Sequence, residues 1–230
     1  MEAQLRDQMN AMSNPTLAPY AKEGECELRV TAKAPTDAEA QALLKPTVEQ
    51  VKALFGSKVY GVDVSSLEEV VEGLLREKGM TIGVAESCTG GLMAKRLTDV
   101  AGASQVFLGG IVSYTNQVKA GMLHVPQHLL DQFGAVSPEV ALAMAEGARK
   151  ALGCDIALAT TGVAGPDKDD WDNEVGTMFV AIATPDGTHV RPLKLGSRPV
   201  RARLRTQTAH HAFDLARRYL TGLPYEDGAV

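Results

Sequence analysis

From Glu25 to Ala34 the chain alternates. Cys26, Leu28, Val30 and Ala32 fall on one side, and Glu27, Arg29, Thr31 and Lys33 on the other. A period of two over that length predicts a half-buried strand. The preceding residues, 1 to about 22, are polar, and Asn14-Pro15 and Pro19 interrupt any long helix, so that stretch is expected to be irregular. After Pro35-Thr36-Asp37 the apolar positions switch to helical spacing from Ala38 to Leu54, and Gly56 stops them. Lys58 to Val62 then reads as a short strand. The result is a small strand–helix–strand unit, close to the lower size limit for an independent core.

Asp63-Val64-Ser65-Ser66 marks the expected boundary. Ser66 with Glu69 three residues later forms a capping box that opens a helix from Leu67 to Lys78, and Gly79 ends it. Strands are predicted at Met80–Ala85, Val106–Tyr114 and Asp155–Thr160, and helices at Leu92–Thr98, Gln117–Leu123 and from Pro138 to Leu152. Ser137-Pro138-Glu139 is a well-formed helix start, with a hydroxyl cap, proline in the first turn and an early acid. Gly176–Thr184 and His189–Leu195 flank Pro185-Asp186-Gly187 and predict a hairpin. A last helix runs from Arg201 to Leu220. The fold class is therefore α/β, with strands alternating with helices plus one hairpin. That order predicts a mixed sheet covered by helices on both faces, beside a small α+β unit. The expected division is 1–64, 65–223 and a polar tail at 224–230.

Composition refines this picture in three respects. Among 230 residues, aromatics are only 5% while glycines number 22, and a core of small residues allows close backbone approach between layers. The formal charge of −5 argues against nucleic acid as a partner, because such binding rests on a basic surface. Cys26, Cys88 and Cys154 form neither a CxxC pair nor an even set, which points to a reducing, cytoplasmic setting rather than a disulfide framework or zinc site. No apolar run approaches the roughly 18 residues of a membrane span, so no membrane role is expected.

Three segments could carry chemistry, and each follows a predicted strand. Glu86 to Gly91 turns from a strand into a helix through Ser87, Cys88, Thr89, Gly90 and Gly91. Free N–H groups there would favour a phosphate or a developing oxyanion, Ser87 and Cys88 are both potential nucleophiles, and a plain capped turn is the bland alternative. In Val112 to Lys119, a lysine lowered toward neutrality by burial could take a proton from a Ser or Tyr hydroxyl, whereas most lysines are solvated surface charges. Thr160 to Asp167 offers Thr160, Thr161 and Gly162 beyond a buried strand, where open α/β sheets bind ligands. If these strands run parallel, the three loops converge on one edge.

Other features read blandly. The acids of the 168–174 stretch, with Asp167, lack a calcium-loop pattern and are expected to form a solvated loop, in which Trp171 is a candidate lid or partner contact. The five histidines show no metal-ligand spacing, and His210-His211 are expected to face solvent. No metal or cofactor is predicted.

Taken together, AESCTGG from Ala85, VSYTNQVKAGMLHV from Val112, GAVSPEV from Gly134, TTGVAGPD from Thr160, VGTMFVAIA from Val175 and the arginine-rich stretch from Arg198 to Arg205 resemble the CinA carboxy-terminal family, whose members include nicotinamide-mononucleotide deamidases. The match in order and spacing runs from roughly Ser65 to Leu223, and no single piece would carry it. Residues 14 to 64 are similar to the small KH-like domain that precedes the deamidase domain in full-length CinA proteins. Gly56-Ser57-Lys58-Val59 does not supply the GxxG loop with which KH domains grip RNA, so a scaffold or dimer-forming role is expected. The molybdopterin-binding-like domain that opens those longer proteins is not in this sequence, which implies no pyrophosphatase activity and no metal from that source.

The resemblance implies a three-layer α/β/α deamidase domain, hydrolysis of the carboxamide of nicotinamide mononucleotide, and a homodimer. It implies Ser87 as nucleophile, Lys119 as base, and Tyr114 assisting proton transfer or orienting substrate. The Gly90 and Gly91 amides and the hydroxyl of Thr160 or Thr161 are the implied oxyanion or phosphate donors, and Thr89 and Gly162 are further implied substrate contacts. The family's Gly-Asp-Arg pattern reads Gly196-Ser197-Arg198 here, without the Asp. Counting forward from the glycine selects Arg198 for the phosphate, and counting back from the helix selects Arg201. A non-catalytic nucleotide-binding or competence-associated module is the alternative reading.

Overall fold

The structure, a computed structural model, describes residues 1–196 and 200–226. The chain divides into two compact units, Met1–Tyr60 and Gly61–Val230.

In the first unit, α1 (Glu2–Ala11) precedes the antiparallel pair β1 (Thr16–Ala21) and β2 (Cys26–Thr31), followed by α2 (Asp37–Phe55). Leu5, Leu17 and Val51 form its core, with Met9, Met12, Leu28, Val30 and Phe55 packed around them. Two expectations fail here. Residues 1–22 are largely ordered, because Leu5, Met9 and Met12 recur at helical spacing and find that core. Pro19 is accommodated in β1, since a strand with one partner has an edge on which no N–H is needed. Lys58–Val62 is not a strand: a 3₁₀ turn at Gly56–Lys58 ends α2 and the chain continues without a ladder partner.

The second unit is a three-layer α/β/α structure. Its sheet has the order β4-β3-β5-β6-β7, where β3 is Ile82–Glu86, β4 Phe107–Val112, β5 Ile156–Gly162, β6 Thr177–Thr184 and β7 Gly187–Lys194. β4, β3 and β5 are parallel, and β5, β6 and β7 antiparallel, which makes the sheet mixed. β3 and β5 are buried on both faces, the reason they read as continuous apolar runs rather than alternations. On one face lie α3 (Leu67–Lys78), α4 (Leu92–Thr98) and α8 (Arg201–Thr221). On the other, α7 (Pro138–Leu152) covers the sheet and carries α5 (Asn116–Leu123) and α6 (Gln127–Phe133). α6 escaped sequence reading because it spans only two turns, with Leu130 its one buried residue.

The caps are those the sequence announces. Ser66 Oγ accepts from Glu69 N at 3.2 Å, and Ser137 Oγ from Val140 N at 3.3 Å. Thr115 caps α5 and so fixes the start of the helix that carries Lys119. Glycine at 147 sets how closely α5 approaches α7: a Cβ there would lie 1.9 Å from the Leu123 carbonyl oxygen. Gly147→Ala is expected to cost about 3 kcal/mol, read from the midpoint of urea unfolding; an unchanged midpoint would show that the helices can separate freely.

His210 and His211 are half-buried rather than solvent-facing, because α8 packs against both α3 and the sheet. His210 Nδ1 lies 3.3 Å from Arg96 Nη2. Burial, reinforced by Arg191, lowers the His211 pKa. Tyr225 stacks on His189, and Arg191 binds the Tyr225 carbonyl, so the tail lies against β7 as far as it is described.

Candidate active site

Because β3, β4 and β5 are parallel, the loops that follow them open at the same end of the sheet. Glu86 pairs in register with Val112 on one side and Thr160 on the other. Ser87 continues this coupling by donating its N–H to the Thr160 carbonyl at 3.0 Å. The three segments singled out in the sequence therefore meet.

At their meeting point, Lys119 Nζ lies 3.0 Å from Ser87 Oγ and donates to the Ser113 carbonyl at 2.8 Å. Lys119 is 1% exposed, among the largest of the fully buried side chains. Among the described residues no carboxylate is placed to pair with it. Burial consequently pushes its pKa down to about 8. A lysine of that kind is about one part in ten neutral amine at pH 7 and half neutral at pH 8, and the neutral form has a lone pair for a hydroxyl proton. Cys88, the rival nucleophile, is buried, and its thiol is pushed up to about 12, which leaves it inert at physiological pH.

The helix start after Ser87 is not open to an outside anion. Glu86, itself buried, turns its carboxylate onto it, accepting from Gly91 N at 2.9 Å, Met93 N at 3.0 Å and Ala94 N at 2.8 Å. Gly90 N donates to the Ser87 carbonyl at 3.2 Å. The Gly90 and Gly91 amides are thus engaged within the chain, and their backbone φ values of +56° and +92° explain why glycine stands there. Glu86 was missed as a site residue; the legible signal was an acid beside a glycine-rich helix start. Glu86→Ala is expected to destabilise the chain by about 2–4 kcal/mol, since three amides lose a charged acceptor. Glu86→Gln should recover only part of this. Denaturant unfolding of both variants checks the order.

The threonines also bond inward. Thr89 Oγ1 and Thr160 Oγ1 are 2.7 Å apart and wholly buried, and Thr161 Oγ1 donates to the Ala135 carbonyl at 2.7 Å. Gly162 serves packing, for a Cβ there would lie 2.1 Å from Met178 Sδ.

Tyr114 lies just past β4 and is 60% exposed. Its hydroxyl accepts from Arg201 Nη2 at 3.1 Å, and Arg201 Nη1 donates to the Gly165 carbonyl at 2.6 Å. Tyr114 and Arg201 therefore form a rim bridging the loops after β4 and β5, and among the described bonds Tyr114 reaches neither Ser87 nor Lys119. Arg198 lies outside the described residues. One turn of α8 beyond Arg201, Arg205 donates to the Thr89 carbonyl from Nε at 3.2 Å and Nη2 at 2.5 Å. The i, i+4 spacing of the two arginines was the available signal for it.

The 168–174 loop is mostly exposed and internally bonded. Lys168 pairs with Asp172 and Glu174, and Asp169 accepts from the Trp171 and Asn173 amides. Trp171 lies over Gly134, where a Cβ would come within 2.8 Å of the indole. No helix of the described residues is long and apolar enough to cross a membrane.

Residues 64–220 match the CinA C-terminal domain, and residues 1–61 match the damage-inducible protein CinA KH domain. The chain belongs to the CinA family. It is 42% identical over 223 residues to a CinA-like protein of Dictyoglomus turgidum, covering 97% of this chain and 54% of that one. With a CinA-like protein of Frankia casuarinae it shares 48% over 219 residues, covering 95% and 50% respectively. A putative competence-damage inducible protein of Caldanaerobacter subterraneus is 44% identical over 210 residues, with 91% and 50% covered. The chain thus spans about half the length of these CinA relatives. Among solved structures, a competence/damage inducible protein from Agrobacterium tumefaciens superposes with a TM-score of 0.63 at 34% identity, covering 70% of this chain and 99% of its own. Competence damage-inducible protein A from Klebsiella pneumoniae superposes with a TM-score of 0.65 at 26% identity, covering 67% and 95%.

Proposed function

We propose that this chain hydrolyses the carboxamide of nicotinamide mononucleotide to nicotinate mononucleotide and ammonia, a step of pyridine nucleotide salvage. The observation that carries the reading is the buried Lys119–Ser87 pair. Neutral Lys119 takes the hydroxyl proton as Ser87 Oγ forms its bond to the carboxamide carbon. The tetrahedral intermediate then collapses, and Lys119 returns the proton to the leaving amine, releasing ammonia. Water, deprotonated by Lys119 Nζ, then adds to the acyl ester, and as the ester C–O bond breaks Lys119 returns that proton to Ser87 Oγ, freeing the acid and the serine. No metal or cofactor enters the scheme.

The phosphate is assigned to Arg201, whose planar fork can hold two oxygens, with Tyr114 beside it orienting the substrate. The CinA resemblance, rather than the geometry, names the nucleotide, and a homodimer is part of the same proposal. Arg201→Ala is expected to raise KM for nicotinamide mononucleotide by about 10–100-fold with kcat changed far less, as befits uniform binding. A loss confined to kcat would remove Arg201 from the phosphate. The alternative reading, a nucleotide-binding module without turnover, draws on relatives named competence-damage inducible. Ammonia release from the nucleotide separates the two.

A further inference from the structure

We propose that the backbone N–H groups of Cys88 and Thr89 form the oxyanion hole of this site, with Thr89 the principal donor. The inference rests on the amidohydrolase reading and deepens it. Ser87 N donates to the Thr160 carbonyl, Gly90 N to the Ser87 carbonyl and Leu92 N to the Thr89 carbonyl. Gly91, Met93 and Ala94 all donate to the Glu86 carboxylate. Of residues 87 to 94, this leaves only Cys88 and Thr89, whose N–H groups donate to no carbonyl or side-chain oxygen among the described residues. The Cys88 amide meets only its own sulfur.

Thr89 is the more telling of the two. It is wholly buried. Its hydroxyl is bonded to Thr160, and its carbonyl accepts from Leu92 N and twice from Arg205. Every polar atom of the residue except its N–H is therefore held, and the peptide cannot rotate to find a partner. A buried amide without an acceptor costs roughly 1–3 kcal/mol, and native chains keep few of them. Such an amide, two residues after a nucleophile bonded to a base, is a donor kept for an oxygen that arrives with substrate. When Ser87 Oγ bonds to the carboxamide carbon, the carbonyl π pair moves onto oxygen while the serine proton passes to Lys119 Nζ. Once bound substrate has displaced what covers the turn, the two N–H groups donate to that new charge from a peptide already fixed in place, and such preset donors act most strongly. Arg205 is a positioning residue in this arrangement, fixing the Thr89 carbonyl so that the N–H is aimed.

The test replaces the amide nitrogen alone. Residue 89, and separately residue 88, is incorporated as its α-hydroxy acid, which turns the preceding peptide bond into an ester and deletes the N–H. The ester at 89 is expected to lower kcat for ammonia release by about 10²–10³-fold with KM nearly unchanged, and the ester at 88 by a smaller factor. A kcat within about twofold of the parent for the ester at 89 would overturn the proposal. A second readout does not depend on the nucleotide being the substrate. Pyridine-3-boronic acid adds to a serine hydroxyl as a tetrahedral anion. In the folded parent chain it is expected to shift the Thr89 and Cys88 amide protons downfield, and in Ser87→Ala to leave them in place. An adduct that shifts other amides instead would also overturn it. A parent that forms this adduct with the expected shifts, yet releases no ammonia, would sink the substrate assignment and leave the oxyanion site standing.

Discussion

Ser87→Ala is expected to reduce ammonia release from nicotinamide mononucleotide by at least about 10³-fold while the chain stays folded and still binds the nucleotide. Removing a serine nucleophile leaves only binding and oxyanion stabilisation, and in serine hydrolases that residue alone supports little turnover. The substitution deletes one oxygen from a nearly buried position, and the turn around it is held by bonds that Ser87 Oγ does not make. Its unfolding midpoint should therefore stay close to that of the parent. Activity that survived Ser87→Ala would keep the reaction and remove the nucleophile.

The second large effect concerns Lys119. Lys119→Met is expected to abolish turnover to a similar degree, and Lys119→Arg should not restore it, since a guanidinium does not give up its proton at usable pH. In the parent, kcat/KM should rise with pH and level off above about 8, because only the neutral amine can accept the serine proton. The same shift has a consequence for stability. Burial lowers the folded-state pKa to about 8 from an ordinary value of 10.5. Between these values the unfolded chain binds a proton that the folded chain does not, so Lys119 makes stability increase with pH across that interval and contributes no slope below it. Lys119→Met should flatten that increase and raise the unfolding midpoint at pH 7, the relief of a desolvated ammonium outweighing its two bonds to Ser87 and the Ser113 carbonyl. A lowered midpoint would contradict a desolvated ammonium.

Much of this was legible in the chain. Hydroxyl caps at Ser66 and Ser137, with glycines at 79 and 153, bounded the helices because capping chemistry is local. The apolar runs of β3 and β5 announced strands buried on both faces. What the sequence could not show was set by long-range partners. α1 depends on a core assembled from β1, β2 and α2. The depressed pKa of Lys119 depends on layers that close around it, and nothing local distinguishes it from a surface lysine. The internal partners of the loops' donors were hidden for the same reason. Gly90, Gly91, Thr160 and Thr161 suggest ligand contacts by type, yet each is consumed by a partner within the chain, whether from the adjacent turn, as for Gly91 with Glu86, or from another loop, as for Thr161 with Ala135. Tyr114, implied by the resemblance to assist proton transfer or orient substrate, bonds to Arg201 at the rim, a contact that nothing local in the sequence announces.

The most direct measurement is ammonia release from nicotinamide mononucleotide by the unaltered chain across the pH range around 8, with the nucleotide product followed in the same samples. The account predicts equal amounts of ammonia and nicotinate mononucleotide, at a rate that climbs with pH and levels off above about 8. Nucleotide that binds and is recovered unchanged at every pH would contradict it.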